Sequence, residues 1–271
     1  MPERPLVFGI LNVTPDSFSD GGRFADPDAA VRQGLRLVAD GADWVDIGGE
    51  STRPGAGRVA AEEEQRRVLP VVAALAEQGV RVSIDTMNAD TARAALAAGA
   101  GIVNDVSGGL ADPAMPEVVA SARVPFVVMH WRGHSAAMSA RAVYDDVVLE
   151  VRDELAARVQ ALIDQGIAAD RIVLDPGIGF AKESEHNWRV LAGLGALQEL
   201  GHPLLVGVSR KRFLGGLPSL SGAEDPAARD LPTAVTSALL ALQGVWAVRV
   251  HDVAGTAAAL DVVDAWRGVP A

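Results

Sequence analysis

The sequence has no cysteine, few aromatic residues and no long uninterrupted apolar run. Without cysteine, neither a disulfide nor a thiolate metal site can form, which suits a cytoplasmic protein. The apolar stretch 6–13 contains Asn12 and is followed by Pro15, so we expect neither a secretory signal nor a membrane span there.

Positive charge is also in short supply, because 24 lysines and arginines stand against 35 acidic residues and the formal net charge is -11. This balance argues against a nucleic-acid-binding protein. An anionic substrate would need a local basic site that works against the field of the whole molecule. The 271 residues, 49% of them hydrophobic, suffice for one (β/α)8 barrel, which takes about 250 residues. We therefore predict a single barrel domain over residues 1–271.

Apolar strand-like runs alternate with segments of helical spacing along the whole chain. The predicted strands are 6–12, 44–48, 81–85, 101–105, 125–130, 171–175, 203–208 and 247–251. The predicted helices are 27–40, 61–78, 89–98, 112–121, 144–165, 184–200, 231–243 and 255–267. Alternation that starts with a strand indicates a parallel sheet with right-handed crossovers. We prefer a closed barrel to an open doubly wound sheet, because there are eight units and no GxGxxG follows the first strand.

Polar residues, together with two glycines and a methionine, gather where the predicted strands end. They are Asn12, Gly48, Gly49, Glu50, Asp85, Asn104, Asp105, Met129 with His130, Asp175, Ser209, Arg210, Lys211, Arg249 and His251. In a parallel barrel the carboxyl ends of all strands meet at one mouth, which is where such enzymes place their active sites. The sequence therefore predicts an active site at that end.

Three features at or near these strand ends favour the binding of phosphate and of a metal ion that accompanies it. The glycine-rich loop 48–55 places Thr52 beside Arg53, a hydroxyl and a guanidinium that together suit a phosphate. Arg249 and His251 are two residues apart on one strand, so they share a face near the usual phosphate site of such barrels. Asn12 offers an oxygen to Mg²⁺. The alternatives are a solvated loop arginine, a structural ion pair for Arg249 and a turn role for Asn12.

Carboxylates, an amide and an ammonium also lie at these strand ends, on Asp85, Asn104, Asp175 and Lys211. Such a mixture of donors and acceptors fits a flat, nitrogen-rich heterocycle. The alternative is that Asp85 and Lys211 form only an ion pair. We do not expect a zinc site among the five histidines.

Several strings together make the chain resemble the dihydropteroate synthase family of pterin-binding barrels. They are ILNVTPDSFSDGG, DIGGESTRPG, VSIDT, NDVSGG, MHWRG, DPGIGF, GVSRKRFLG and VRVHDV. The similarity extends from about residue 7 to residue 253. Among the few departures, Ala181 stands where the family commonly has glycine. The resemblance implies a (β/α)8 enzyme that joins 6-hydroxymethyl-7,8-dihydropterin diphosphate to p-aminobenzoate and releases pyrophosphate.

The resemblance also implies roles for individual residues. The pterin would be bound by Asp85, Asn104, Met129, Asp175, Phe180, Gly207 and Lys211. The diphosphate would be bound by Asn12, Thr52, Arg53, Arg249 and His251. The p-aminobenzoate would be bound by Phe18, Pro54, Ser209 and Arg212. The residues expected to take part in catalysis are Asp85, Lys211 and Arg53, with Mg²⁺ held at Asn12.

Members of this family are sulfonamide targets and commonly homodimers through their last helices, so both properties are expected here. Two other functions stay open. A methyltetrahydrofolate methyltransferase would share the Asp85, Asn104 and Asp175 set but has no use for diphosphate ligands such as Arg53 and Arg249. A non-catalytic pterin-binding paralogue would be expected to have lost its loop residues, and both loops are intact.

Overall fold

The computed structural model describes residues 4–14, 26–50, 59–133 and 141–268. Its strands run in parallel and follow the predicted order. They are β1 (Leu6–Asn12), β2 (Trp44–Gly48), β3 (Val82–Asp85), β4 (Ile102–Asp105), β5 (Phe126–Met129), β6 (Ile172–Asp175), β7 (Leu205–Val206) and β8 (Ala247–Val250).

Helices fill the segments between the strands. They are α1 (Pro27–Ala39), α2 (Ala61–Glu77), α3 (Ala89–Ala97), α4 (Met115–Ala122), α5 (Val147–Asp164), α6 (Ser184–Ala192), α7 (Leu194–Gln198), α8 (Asp230–Leu242) and α9 (Val253–Gly268). Asp26 caps α1 through a bond from the Asp28 amide, with Pro27 as the first helical residue. None of the described helices is long and apolar enough to cross a membrane.

The sheet closes on itself. Hydrogen bonds join the strands in the order β6-β5-β4-β3-β2-β1-β8-β7, which places β6 and β7 at its two ends. A parallel bridge between Leu174 and Leu204 connects those ends, and the Leu174 amide donates to the Pro203 carbonyl at 2.8 Å. The predicted barrel is confirmed, and the open doubly wound sheet is wrong.

Two predicted elements differ clearly from the structure, whereas the ends of the others shift by at most three residues. Strand 203–208 is reduced to the two residues of β7, since Leu204 touches β6 through a single bridge and only Leu205 and Val206 pair with β8. Helix 184–200 is split at Gly193, which lies against α5. A Cβ added at Gly193 would come within 2.9 Å of the Val148 side chain, so the close packing of the helices requires a glycine there.

The barrel interior is filled from below by apolar side chains. Strand residues alternate between the helix-covered outside and the interior. One layer of buried inward residues comprises Phe8, Ile102, Val127, Val173, Leu205 and Ala247. Trp44 and Trp246 pack against this layer at the amino-terminal end, where Trp44 stacks on Phe8 with ring centroids 5.9 Å apart. The closed floor leaves the opposite end for chemistry.

Candidate active site

The next inward layer of the barrel is polar. Two residues beyond members of the apolar layer, along the same strands, come Asn104, Met129, Asp175, Gly207 and Arg249. Asp46 on β2 and Asp85 on β3 belong to the same set of inward positions, because Asp46 pairs in register with Ser83 and Asp85 with Asn104. We call Asp46, Asp85, Asn104, Asp175 and Arg249 the polar layer. Alternation along the strands thus brings five of the predicted pterin residues to the inner face of the barrel at one end, namely Asp85, Asn104, Met129, Asp175 and Gly207.

Arg249 is the centre of the polar layer. Its Nε donates to Asp46 Oδ2 at 2.5 Å and its Nη2 donates to Asp85 Oδ2 at 2.6 Å. Arg249 therefore forms the ion pairs that the structural alternative expects. Neither of these two bonds uses Nη1, which has no hydrogen-bond partner among the described residues.

The pKa of Asp85 is subject to opposing effects of its surroundings. Burial raises the pKa of this carboxyl to about 7. The Arg249 guanidinium opposes this rise, whereas the carboxylates of Asp46, Glu64 and Asp105 add to it. Asp85 is therefore sensitive to any charge that enters or leaves the cavity.

Lys211 lies on the other side of the cavity, after β7. Its Nζ donates to the Ile178 carbonyl and stands 4.8 Å from the centre of the Phe180 ring. Burial lowers the pKa of Lys211 to about 8, against the pull of Asp175. Asp175 Oδ1 accepts from the Gly177 amide at 2.7 Å, and burial raises the pKa of Asp175. Asp85 pairs with Arg249, so the predicted alternative of an Asp85–Lys211 ion pair is wrong.

Ser209, Arg210 and Arg212, in the loop after β7, make different contacts. Ser209 Oγ accepts from the His251 amide at 3.0 Å and lies 2.8 Å from His251 Nδ1, which joins the ends of β7 and β8. Arg210 adopts a left-handed backbone with φ 56° and points both Nε and Nη2 at Asp230, at 2.7 and 2.8 Å. Arg210 therefore connects the loop after β7 to the start of α8. Arg212 is exposed and begins a short 3-10 helix.

Three side chains, connected through the buried His130, support the loop after β6. Lys182 Nζ lies 2.9 Å from His130 Nδ1 and donates to the carbonyls of Gly177 and Phe180. His130 Nε2 lies 2.9 Å from Glu154 Oε2. Burial lowers the pKa of His130 to about 4, so its ring is neutral. A carboxylate only accepts, and therefore Nε2 donates to Glu154 and Nδ1 accepts from Lys182.

The remaining predicted residues lie at the rim or outside the described residues. Asn12 ends β1 and is half-buried, in register with Gly48. Phe18, Thr52, Arg53 and Pro54 lie outside the described residues. The described part of the chain contains no group of three or more His, Cys, Asp or Glu side chains that could hold a metal ion.

Two residues of the site were missed from the sequence. Asp46 is fully buried and touches both Asn104 and Arg249. Its signal was available, since a single carboxylate stands in the otherwise apolar strand Trp44–Gly48. Lys182 gave no such signal, because its partner His130 is 52 positions away in the chain.

A closed parallel barrel whose inner polar layer combines carboxylates, an amide and cations defines a barrel enzyme that binds a polar, flat ligand. The model of the family described as pterin binding enzyme matches residues 8–251. The chain belongs to the pterin-binding enzymes and, within them, to the family of dihydropteroate synthases, which are transferases.

The relatives are close in sequence and in structure. The dihydropteroate synthase of Mycobacterium leprae is 56% identical over 96% of this chain and 93% of its own length. That of Xanthomonas albilineans, solved with 4-aminobenzoic acid, has a TM-score of 0.91 and 48% identity, covering 99% of this chain and 95% of that one. The same enzyme solved with 7,8-dihydropteroate has a TM-score of 0.88 and 45% identity, with the same coverage of both chains. The Yersinia pestis enzyme in a sulfonamide complex has a TM-score of 0.91 and 40% identity, covering 98% of this chain and 95% of that one.

Proposed function

We propose that this protein condenses 6-hydroxymethyl-7,8-dihydropterin diphosphate with p-aminobenzoate to give 7,8-dihydropteroate and pyrophosphate. The observation that carries the proposal is the polar layer, which gathers Asp85, Asn104, Asp175 and Arg249 on the inner face of the barrel beside Lys211. A pterin edge alternates donors and acceptors, and these groups offer the complementary set. Met129 and Gly207 supply the uncharged walls that a flat ring requires.

The reaction breaks one bond and forms another. The bond between the pterin methylene carbon and oxygen breaks, pyrophosphate leaves with the electron pair, and the aniline nitrogen forms the new carbon–nitrogen bond and loses a proton. Positive charge builds on the methylene and the ring, where an ionised Asp85 stabilises it. Lys211 and Asp175 hold the far edge of the ring, and no side chain forms a covalent bond with substrate.

The diphosphate is held by cations at the mouth. Arg249 has Nη1 free of protein partners in the described part of the chain, and His251 is fixed beside it by Ser209. Thr52 and Arg53 complete this set in the proposal. Negative charge grows on the leaving group in the transition state, so cations that bind it there accelerate the reaction. Arg53 thus joins Asp85 and Lys211 as a catalytic residue.

Magnesium is the proposed cofactor, and the donor set around Asn12 fits it. The half-buried Asn12 ends β1 at the mouth of the barrel, where its amide oxygen would be the protein ligand of the ion. Mg²⁺ keeps several waters and binds through few protein ligands together with substrate phosphates, which agrees with one amide and no carboxylate cluster in the described chain. When bound, the ion would neutralise charge on the diphosphate oxygens.

The second substrate would bind against Ser209 and Arg212, with Phe18 and Pro54 closing the pocket. Ser209 is buried at the end of the barrel and Arg212 is exposed beyond it, an arrangement that suits an aromatic ring with its carboxylate toward solvent. Sulfonamides that mimic p-aminobenzoate are proposed to compete for the same place.

A homodimer through the last helices is part of the proposal. One face of α8 exposes Leu231, Val235, Leu239 and Leu242, and α9 adds Val262 and Trp266, the last 79% exposed. Such a patch of large apolar side chains is unusual on a monomer. Sedimentation should give a dimer, and Leu239→Lys should convert it to a monomer; a wild-type monomer at micromolar concentration would contradict this part.

The test of function is product formation with omission controls. Protein, pterin diphosphate, Mg²⁺ and p-aminobenzoate should yield dihydropteroate and pyrophosphate in equal amounts, and leaving out any one of them should stop the reaction. Methyl transfer from methyltetrahydrofolate instead would establish the methyltransferase alternative. Tight pterin binding without either product would establish the non-catalytic one.

A further inference from the structure

Asp46 is a buried carboxylate for which the proposed reaction has no direct use. It is fully buried in the middle of β2, below the strand ends that carry the predicted substrate contacts. Its Oδ2 accepts from two members of the polar layer, Asn104 Nδ2 at 3.0 Å and Arg249 Nε at 2.5 Å. Within the described chain its Oδ1 has no hydrogen-bond partner, and neither does the Ser83 hydroxyl on the neighbouring strand.

This geometry determines which way the Asn104 amide faces. The Asn104 atom that touches Asp46 is the Nδ2 donor, which points at Oδ2. Asn104 Oδ1 has no side-chain donor among the described residues and stays available as an acceptor for a ligand. Without Asp46 the two ends of the amide would be nearly equivalent, and the cavity would lose its fixed pattern of donor and acceptor.

The same oxygen also fixes Arg249. Nε binds Asp46 and Nη2 binds Asp85, so the planar guanidinium is held along two of its edges. We propose that Asp46 is a positioning residue of the substrate cavity: through one oxygen it orients the Asn104 amide for the heterocycle and holds the Arg249 guanidinium against Asp85. Asp46 touches no substrate in this proposal, which deepens the proposed function and rests on it.

Two variants distinguish the role of Asp46 as a hydrogen-bond acceptor from the role of its charge. Asp46→Asn keeps an acceptor oxygen at the position of Oδ2, so Asn104 keeps its orientation. Asp46→Leu has a similar shape but accepts no hydrogen bond. Affinity for 6-hydroxymethylpterin, measured by calorimetry, should stay within about threefold of wild type in Asp46→Asn and fall about tenfold in Asp46→Leu, the loss expected for a misdirected hydrogen bond.

The charge of Asp46 is tested by the pH profile. The Arg249 cation on β8 lowers the pKa of Asp85. The carboxylates of Asp46 on β2, Glu64 on α2 and Asp105 on β4 raise it. Removing the Asp46 charge therefore lowers the pKa of Asp85. The acid limb of kcat/KM reports this group in the free enzyme, so it should move to lower pH in Asp46→Asn. A purely structural residue would leave the limb in place.

Asp43→Leu is the matched control. Asp43 precedes the same strand at the opposite end of the barrel, where it accepts from the Val7 amide at 2.9 Å and pairs with Arg81. Its loss should lower stability and leave both pterin affinity and the acid limb unchanged. If it changed them as much as Asp46→Leu does, the effects would be general ones of barrel stability and the proposal would be overturned.

Side-chain amide exchange of Asn104, followed by NMR in ligand-free protein, decides the matter even where Asp46→Leu does not fold or no pterin binds. The Nδ2 proton facing Asp46 should be protected in wild type and in Asp46→Asn. Rapid exchange of both amide protons in wild type would overturn the proposal. So would a folded Asp46→Leu with wild-type pterin affinity, or an unmoved acid limb in Asp46→Asn. Wild type that makes no dihydropteroate but keeps the protected proton would refute the proposed function alone.

Discussion

Asp85→Asn should uncouple activity from stability. The introduced amide keeps the shape of the side chain and an oxygen for Arg249 Nη2, but it removes the negative charge from the cavity. Losing one preorganised electrostatic partner typically costs about 10²–10³ in rate. Turnover should therefore fall by that factor while the barrel remains folded, with Arg249 still bound to Asp46.

The same substitution should change how stability depends on pH. In wild type, the folded-state pKa of Asp85 is raised from 3.8 to about 7 by burial. A raised carboxyl pKa means that its contribution to stability is fully present below pH 4 and is lost as the pH rises through 7. Each pH unit in that window is worth about 1.4 kcal/mol, so wild type loses roughly 2–3 kcal/mol between pH 5 and pH 8 through this group. The amide of the variant does not titrate, so the variant has no such loss.

Urea unfolding of both proteins at pH 5 and pH 8 gives the comparison. The free energy of unfolding of Asp85→Asn relative to wild type should rise by roughly 2–3 kcal/mol from the lower to the higher pH. Asp43→Asn, at the far end of the barrel, serves as the control and should keep wild-type turnover. An Asp85→Asn protein with turnover within threefold of wild type, or a stability difference independent of pH, would refute the reasoning.

Three further substitutions test other parts of the site. Arg249→Met should weaken pterin diphosphate far more than phosphate-free pterin in calorimetry, and should move the acid limb of kcat/KM to higher pH, because the guanidinium lowers the pKa of Asp85; equal losses for both ligands would contradict this. Lys182→Met leaves His130 Nδ1 and two carbonyls without their donor, so it should cost about 2–3 kcal/mol in urea unfolding. It should also raise the pKa of His130 in an NMR titration; an unchanged pKa would refute the Lys182 contact. Ala181→Gly should stabilise by roughly 0.5–1 kcal/mol, since Ala181 has φ 45°, and a less stable variant would show that this backbone is not strained.

Much of the fold could be predicted because local residues mark each element. Glycines 41, 79, 99, 166, 201 and 244 follow predicted helices, and all six adopt positive φ. Strand ends were marked by a polar residue after a buried apolar run, as at Asp85 and Asp175. Ala181, flagged as a departure from the family's glycine, also lies at positive φ, which gives the physical reason for that glycine.

The contacts inside the barrel could not be predicted in the same way. Alternation predicts that Arg249 and His251 share a face of their strand, yet Asp46, the partner of Arg249, lies 203 positions earlier in the chain. No local pattern specifies which of several inward carboxylates an arginine will meet. The short β7 had the same cause, because its length depends on its pairing with β6 and β8, which its own apolar run does not specify.

The most direct test of the account is a crystal structure with 7,8-dihydropteroate bound. We expect the pterin ring in the barrel mouth beside Met129 and Gly207, with its edges bonded to Asp85, Asn104, Asp175 and Lys211. A ring bound elsewhere, or one that leaves Asp175 and Asn104 without a contact, would contradict the assignment of the polar layer as the pterin site.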